Sequence, residues 1–297
     1  MAGGGDTENT RWDDALKYRL TYGPVHFGAM YKFADGSAGC YSATAGWTAA
    51  TCTGEQAHNN AFGFDLGGNY GKFSADAVFQ HYNQAISVLN PLLGPQSLAA
   101  PYQSTTDSIN TNQITGTNLI DPNDTVYGIV TDNNAAMFAA KYASDQWKFF
   151  VGYEHIWQNN PSRPLGVGAS DQGGYFMSGV EDNNLDSEKL VNIWWTGAKY
   201  TYRTKTDFTF AWYQQRQNDF RRPPACTPAS FRASCAGTLN EGSLYVDHHF
   251  TRRFDGFAGI AYSWVSGGLA IAIPHGPGVP YNSNNNFAPT VGGRFSF

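Results

Sequence analysis

Along almost the whole chain apolar and polar residues alternate with a period of two, and a segment patterned this way shows one set of side chains on each face of an extended strand. Leu16, Tyr18, Leu20 and Tyr22 oppose Lys17, Arg19 and Thr21; Gly23-Pro24 turns the chain, and Val25, Phe27, Ala29, Tyr31 and Phe33 return against His26, Gly28, Met30 and Lys32. Four more hairpins follow. Phe62, Phe64, Leu66 and Tyr70 turn at Gly71-Lys72 into Phe73, Ala75, Ala77 and Phe79. Ala136, Phe138, Ala140 and Tyr142 turn through residues 143–146 into Trp147, Phe149, Val151 and Tyr153. Trp194, Ala198, Tyr200 and Tyr202 turn through 203–207 into Phe208, Phe210 and Trp212, and Leu244, Val246 and Phe250 turn through 251–255 into Ala258, Ile260, Tyr262 and Trp264. A terminal segment, Thr290 to Phe297, makes the eleventh strand. Long polar connections near 34–60, 83–134, 157–189, 216–242 and 265–287 separate the hairpins, so every second connection is short and every other one long.

Composition says what the apolar face meets. Aromatic residues make up 15% of the 297 and charged residues only 14%, where soluble proteins carry about a quarter charged. The longest apolar run, Ala135 to Ala140, is far below the roughly 18 residues of a spanning helix. The aromatics form two rows. Tyr22, Tyr70, Phe73, Tyr142, Trp147, Tyr202, Phe208, Phe250 and Phe297 flank the short turns or the terminus; Tyr31, Phe33, Phe62, Phe79, Tyr153, Trp194, Trp212, Tyr262 and Trp264 stand near the opposite strand ends. Two such girdles around a band of Ala, Leu, Val and Ile predict an all-β, transmembrane, antiparallel up-and-down β-barrel with short turns on one side and long loops on the other. A soluble β-sandwich is the competing architecture, and it seldom keeps all its long loops at one end.

The ending carries a second signal. Thr290, Gly292, Arg294 and Ser296 alternate with Val291, Gly293, Phe295 and Phe297. Thr290, Gly292, Phe295 and Phe297 resemble the assembly signal with which outer-membrane barrel proteins end. The first and last strands both run from a long loop toward the short-turn side, and an up-and-down barrel closes antiparallel only with an even number. Eleven strands therefore predict at least one more upstream. Residues 1–14 then read as the remnant of a loop and 15–297 as the C-terminal portion of the barrel. Met1 to Asp6 has neither the charged nor the apolar region of a signal peptide.

Three stretches resemble the general diffusion porins of Gram-negative bacteria, above all the β-proteobacterial family: Arg11 to Tyr18, Phe27 to Tyr31, and the late hairpin Val246 to Asp255. In that hairpin His248, Thr251, Arg252 and Phe254 stand where the family has Tyr, Ser, Lys and Thr. The resemblance implies a homotrimer of sixteen-stranded barrels in which Leu16 to Tyr22 is the sixth strand, with five strands and most of the constriction loop absent here. The cysteines and the length of 83–134 depart from the family.

The polar face predicts the lining of a wet lumen, whose charges set ion preference: Lys17, Arg19, His26, Lys32, Lys141, Lys148, Lys199 and Arg294 against Asp65, Asp76, Glu154 and Asp247. Lys17, Arg19 and Arg294 stand out because the family sets a basic wall opposite its constriction loop. Passive diffusion of small hydrophilic solutes and ions is the expected function, with a substrate-specific channel or a non-conducting adhesin or enzyme barrel as alternatives. Catalysis is not expected: Ser243 and His249 share a face opposite His248, with no carboxylate indicated to complete a triad. No cofactor is implied, and no metal, since Pro122 breaks the set Asp121, Asn123 and Asp124 into a turn. Nucleic acid is excluded by a net charge of −5 and the lack of a basic, aromatic-interleaved run. Expected partners are outer-membrane lipid, two further copies of the chain and the assembly machinery. Cys40 with Cys52 and Cys226 with Cys235 are expected to close two loop disulfides.

Overall fold

A computed structural model describes residues 12, 14–34, 58–89, 127–164, 168–172, 175–182, 185–220, 235–271 and 284–296. Cys40, Cys52, Cys226, Phe297, the set 121–124 and most of residues 1–14 lie outside them. Five hairpins make the wall: β1 (Ala15–Tyr22) with β2 (Val25–Lys32), β3 (Ala61–Tyr70) with β4 (Phe73–Leu89), and β5 (Tyr127–Ala143) with β6 (Trp147–Asn159). A short hairpin, β7 (Gly168–Gln172) and β8 (Tyr175–Asp182), intervenes; then come β9 (Lys189–Tyr202) with β10 (Thr206–Gln217), β11 (Gly237–His249) with β12 (Phe254–Gly267), and the last strand β13 (Asn285–Phe295).

Eleven of these form one antiparallel meander, β1-β2-β3-β4-β5-β6-β9-β10-β11-β12-β13, as the alternation predicts. Among the described residues β1 and β13 each pair with one neighbour, so the sheet is open at both edges. Pro289, which has no N–H to give, sits in the edge strand β13.

The expected long-loop bounds are too generous. Strand pairing of β4 with β5 continues past Tyr82 and Asn133 to Leu89 and Tyr127, with a bulge between Tyr82 and Ala85, so residues 83–89 and 127–134 belong to the wall. Gln84 takes a positive φ of 49° at this bulge, and its N–H reaches Asp132 Oδ1 at 2.9 Å. Likewise β7 and β8 arise inside the expected loop 157–189, with β8 pairing parallel to β5.

Tight turns fix the register at the other end. Gly23 and Gly71 supply positive φ at no steric cost. Arg203 and Thr204 both adopt positive φ in a three-residue connection between the register partners Tyr202 and Thr206, closed by Lys205 N–H donating to the Tyr202 carbonyl at 3.1 Å. That is shorter than the expected 203–207, and it brings Asp207 into β10.

The two faces differ sharply. One is apolar and open: Leu16 is 67% exposed, Tyr70 82% and Val291 84%. An apolar face this continuous is incompatible with water and matches the outer band of a membrane barrel. At its short-turn edge Phe73, Tyr142, Phe149 and Trp147 stand in successive ring contacts.

Candidate functional site: the inner wall

Strand parity sends the charged side chains of the wall inward. Lys17, Arg19, His26, Asp65, Asp76, Lys141, Lys148, Glu154, Lys199, Asp247 and Arg294 all fall on the face opposite the exposed aromatics. Asp207, Glu241 and Asp255 share that face. Two of these three were obscured because 203–207 and 251–255 read as turns.

On the late strands the charges form one chain. Lys199 Nζ pairs with Asp207 Oδ2, and Thr201 Oγ1 donates to Asp207 Oδ1 at 2.7 Å. His249 turns Nε2 toward Asp207 Oδ2 at 3.6 Å and donates from Nδ1 to Asp255 Oδ1 at 2.7 Å. Arg294 donates through Nε and Nη2 to Asp255 Oδ2, with Nη2 3.9 Å from Asp247 Oδ2. Asp207 sits near the start of β10, His249 ends β11, and Asp255 and Arg294 are register partners on β12 and β13. Ligand atoms of Asp247, His249 and Asp255 lie within 4.8 Å of one another; the bonds from His249 and Arg294 already occupy Asp255, which makes the group an ion-pair chain rather than an open metal cradle.

Early strands carry a smaller cluster. His26 Nε2 is 2.7 Å from Asp76 Oδ1 and 3.9 Å from Asp65 Oδ2. Two glycines make room for it: a Cβ on Gly67 would stand 2.0 Å from Asp76 Oδ1, and one on Gly28 would stand 2.1 Å from Asp65 Oδ1. Lys17, Arg19, Lys141 and Lys148 make no ion pair among the described residues. Lys32 departs from the expected lumen role. It is buried, and its ammonium donates to the carbonyls of Phe33 and Asn59, because β2 ends where the chain returns at Asn59 to cover it.

An apolar patch interrupts the polar wall. Ala135, Ile156, Val191 and Ile193 cluster on the inner face with Trp195 packed against them. Trp195 lies directly over Gly152, where a Cβ would stand 2.0 Å from the ring. Sequence reasoning missed it, since it took this face as mostly polar and small; the Ile156–Val191 and Gly152–Trp195 register pairs become visible only once β6 and β9 are aligned.

Cys235 is disulfide-bonded, with its partner outside the described residues. It is buried with Leu185 and Phe220 at the long-loop end.

No family model matches the chain, and no curated protein matches it. Solved structures do. The anion-selective porin of Comamonas acidovorans superposes with a TM-score of 0.51 at 11% identity, over 95% of this chain and 59% of that one. The fold is that of a porin-like outer-membrane β-barrel. OmpT, an outer-membrane protein of Vibrio cholerae, aligns over 99% of this chain and 67% of its own, with 12% identity and a TM-score of 0.49. This chain thus spans about three-fifths of the length of the Comamonas porin.

Proposed function

We propose that the chain forms the wall of an outer-membrane channel through which small hydrophilic solutes and ions diffuse passively. The supporting observation is the segregation of faces: ionic side chains crowd one surface, at least thirteen across the eleven strands, while the other is apolar and aromatic. A wall of this kind stands only between hydrocarbon and water. Lys17, Arg19, Lys141 and Lys148, without ion pairs among the described residues, favour anions, the preference for which the Comamonas porin is named. Homotrimeric assembly and delivery to the outer membrane through the C-terminal strand complete the reading.

Catalysis has little support in the geometry. Ser243 and His249 are six residues apart on one strand, about 20 Å, and His248 faces outward to Thr206 Oγ1 at 2.8 Å. The apolar patch around Trp195 favours a second reading, a channel selective for solutes with an apolar part. Reconstitution into planar bilayers separates them: ohmic current without saturation supports general diffusion, current that saturates with one solute class supports the selective channel, and no current sinks both.

A further inference from the structure

One stretch of the outward face is polar. In a single register row, His155 on β6 pairs with Asn192 on β9, Asn192 with Arg216 on β10, Arg216 with Thr238 on β11, and Thr238 with Ser266 on β12. All five have the parity of the lipid-facing aromatics. Followed the other way, through Ala136, the same row becomes Phe79 and Phe64, fully apolar.

Height explains the change. Phe64 and Phe79 lie six residues from the short-turn ends of β3 and β4, about 15 Å along the membrane normal for a strand tilted about 40°. Arg216 lies ten residues from the start of β10, about 25 Å by the same geometry, the full height of a barrel's apolar band. The row therefore climbs out of the hydrocarbon as it crosses the late strands. Immediately below it, Trp194 and Trp264 mark the interface, bridged in register by Gln214 and Asn240, whose amides are bonded at 2.9 Å.

The row's chemistry is biased toward donors. Asn192 Oδ1 accepts from Tyr153 Oη at 2.6 Å and lies 2.8 Å from His155 Nδ1, which leaves the Asn192 amide nitrogen to donate outward. Arg216 is exposed and carries no ion pair among the described residues. Thr238 adds a hydroxyl, and Ser266 Oγ, which donates to the Thr238 carbonyl at 3.4 Å, adds an acceptor. At this height an outward arginine meets the headgroup layer, where phosphate is the anion it can bond. The row spans five strands, about 19 Å, wider than one phosphodiester and suited to a head of several linked sugars.

We infer that the Asn192–Arg216–Thr238–Ser266 row is an exterior binding site for a glycolipid whose saccharide head carries phosphate, with Arg216 on the phosphate and the amide and hydroxyls on the sugar. The site rests on the membrane-barrel reading and not on conduction, so its loss leaves bilayer current intact. The test is native mass spectrometry of the detergent-purified chain with lipid A, dephosphorylated lipid A and phosphatidylglycerol as probes. Arg216→Gln is expected to lower lipid A occupancy about fivefold, Arg216→Lys to retain most of it, and Lys141→Gln, an equal charge change on the inner face, to leave it unchanged. Asn192→Ala, which keeps the arginine, is expected to weaken lipid A but not phosphatidylglycerol. Equal occupancy in Arg216→Gln and the unaltered chain overturns the site, and equal binding of phosphatidylglycerol and lipid A overturns the glycolipid assignment.

Discussion

Below the upper polar row, strands β1–β6 and strands β9–β13 present the same apolar exterior, and their interiors are opposite. On the early strands four cations, Lys17, Arg19, Lys141 and Lys148, stand without ion pairs among the described residues, and the local acids Asp65 and Asp76 are drawn to His26. On the late strands Lys199, His249 and Arg294 are each matched to a carboxylate. Neighbouring opposite charges cancel at the distance of a passing ion, while isolated ones do not. The positive charge seen by solute therefore comes from the early wall, since each of the three late basic groups is matched to a carboxylate.

The largest test of that contrast removes the early cations together. A unit charge about 8 Å from an ion in water is worth about 0.5 kcal/mol, about a twofold bias. Replacing Lys17, Arg19, Lys141 and Lys148 with Gln is expected to lower the anion-to-cation permeability ratio on the order of tenfold once screening is counted. Reversal potential in a salt gradient measures it. An unchanged potential would mean that the early wall does not line the passage.

Asp207→Asn acts on the late wall from the other side. Asp207 holds Lys199, Thr201 and His249 at once with an 11% exposed side chain. Its loss unmasks a cation, so the permeability ratio is expected to rise about twofold, and the barrel to unfold at lower temperature in a gel-shift assay. A ratio that stays level while stability falls would leave the chain of charges a purely structural clamp.

How far these residues could be found in advance depended on which interaction set their place. Phe208, Leu244 and Tyr262 announce their face through alternation alone, because one side of the strand is apolar. Asp207 and Asp255 fall at strand starts, and two consecutive left-handed residues, Arg203 and Thr204, are not the glycine or asparagine that signals so short a turn. The upper strands were hidden for a different reason. In Gln80-His81-Tyr82-Asn83-Gln84 and Thr131-Asp132-Asn133-Asn134 both faces are mostly polar, so the period of two has no contrast to show. Backbone pairing and bonds such as His81 Nδ1 to Asn134 Oδ1 at 2.6 Å order these segments instead.

Gly152→Val probes the seam between the two walls. Any side chain at this position meets the Trp195 ring, which must swing away from Ile193 and into the lumen. The expected result is a conductance decrease with little change in the permeability ratio, because no charge moves. If the channel is selective for solutes with an apolar part, current block by such a solute weakens in the same variant. Conductance and block both unchanged would place the patch away from the solute's path.

Arg294→Gln should have the smallest effect, and its smallness is informative. The Arg294 side chain is 63% exposed, so water screens its pairing with Asp255, and exposed pairs add little to stability. The neighbouring strand β12 is held to β11 by thirteen register pairs, while β13 is held, among the described residues, by eleven pairs to β12 alone. The unfolding temperature is therefore expected to stay nearly constant, while the folding yield in vesicles falls if Arg294 guides β13 into register with Asp255. Losing both equally would show that the late charges stabilise the finished wall; losing neither would show that backbone pairing alone sets the last strand.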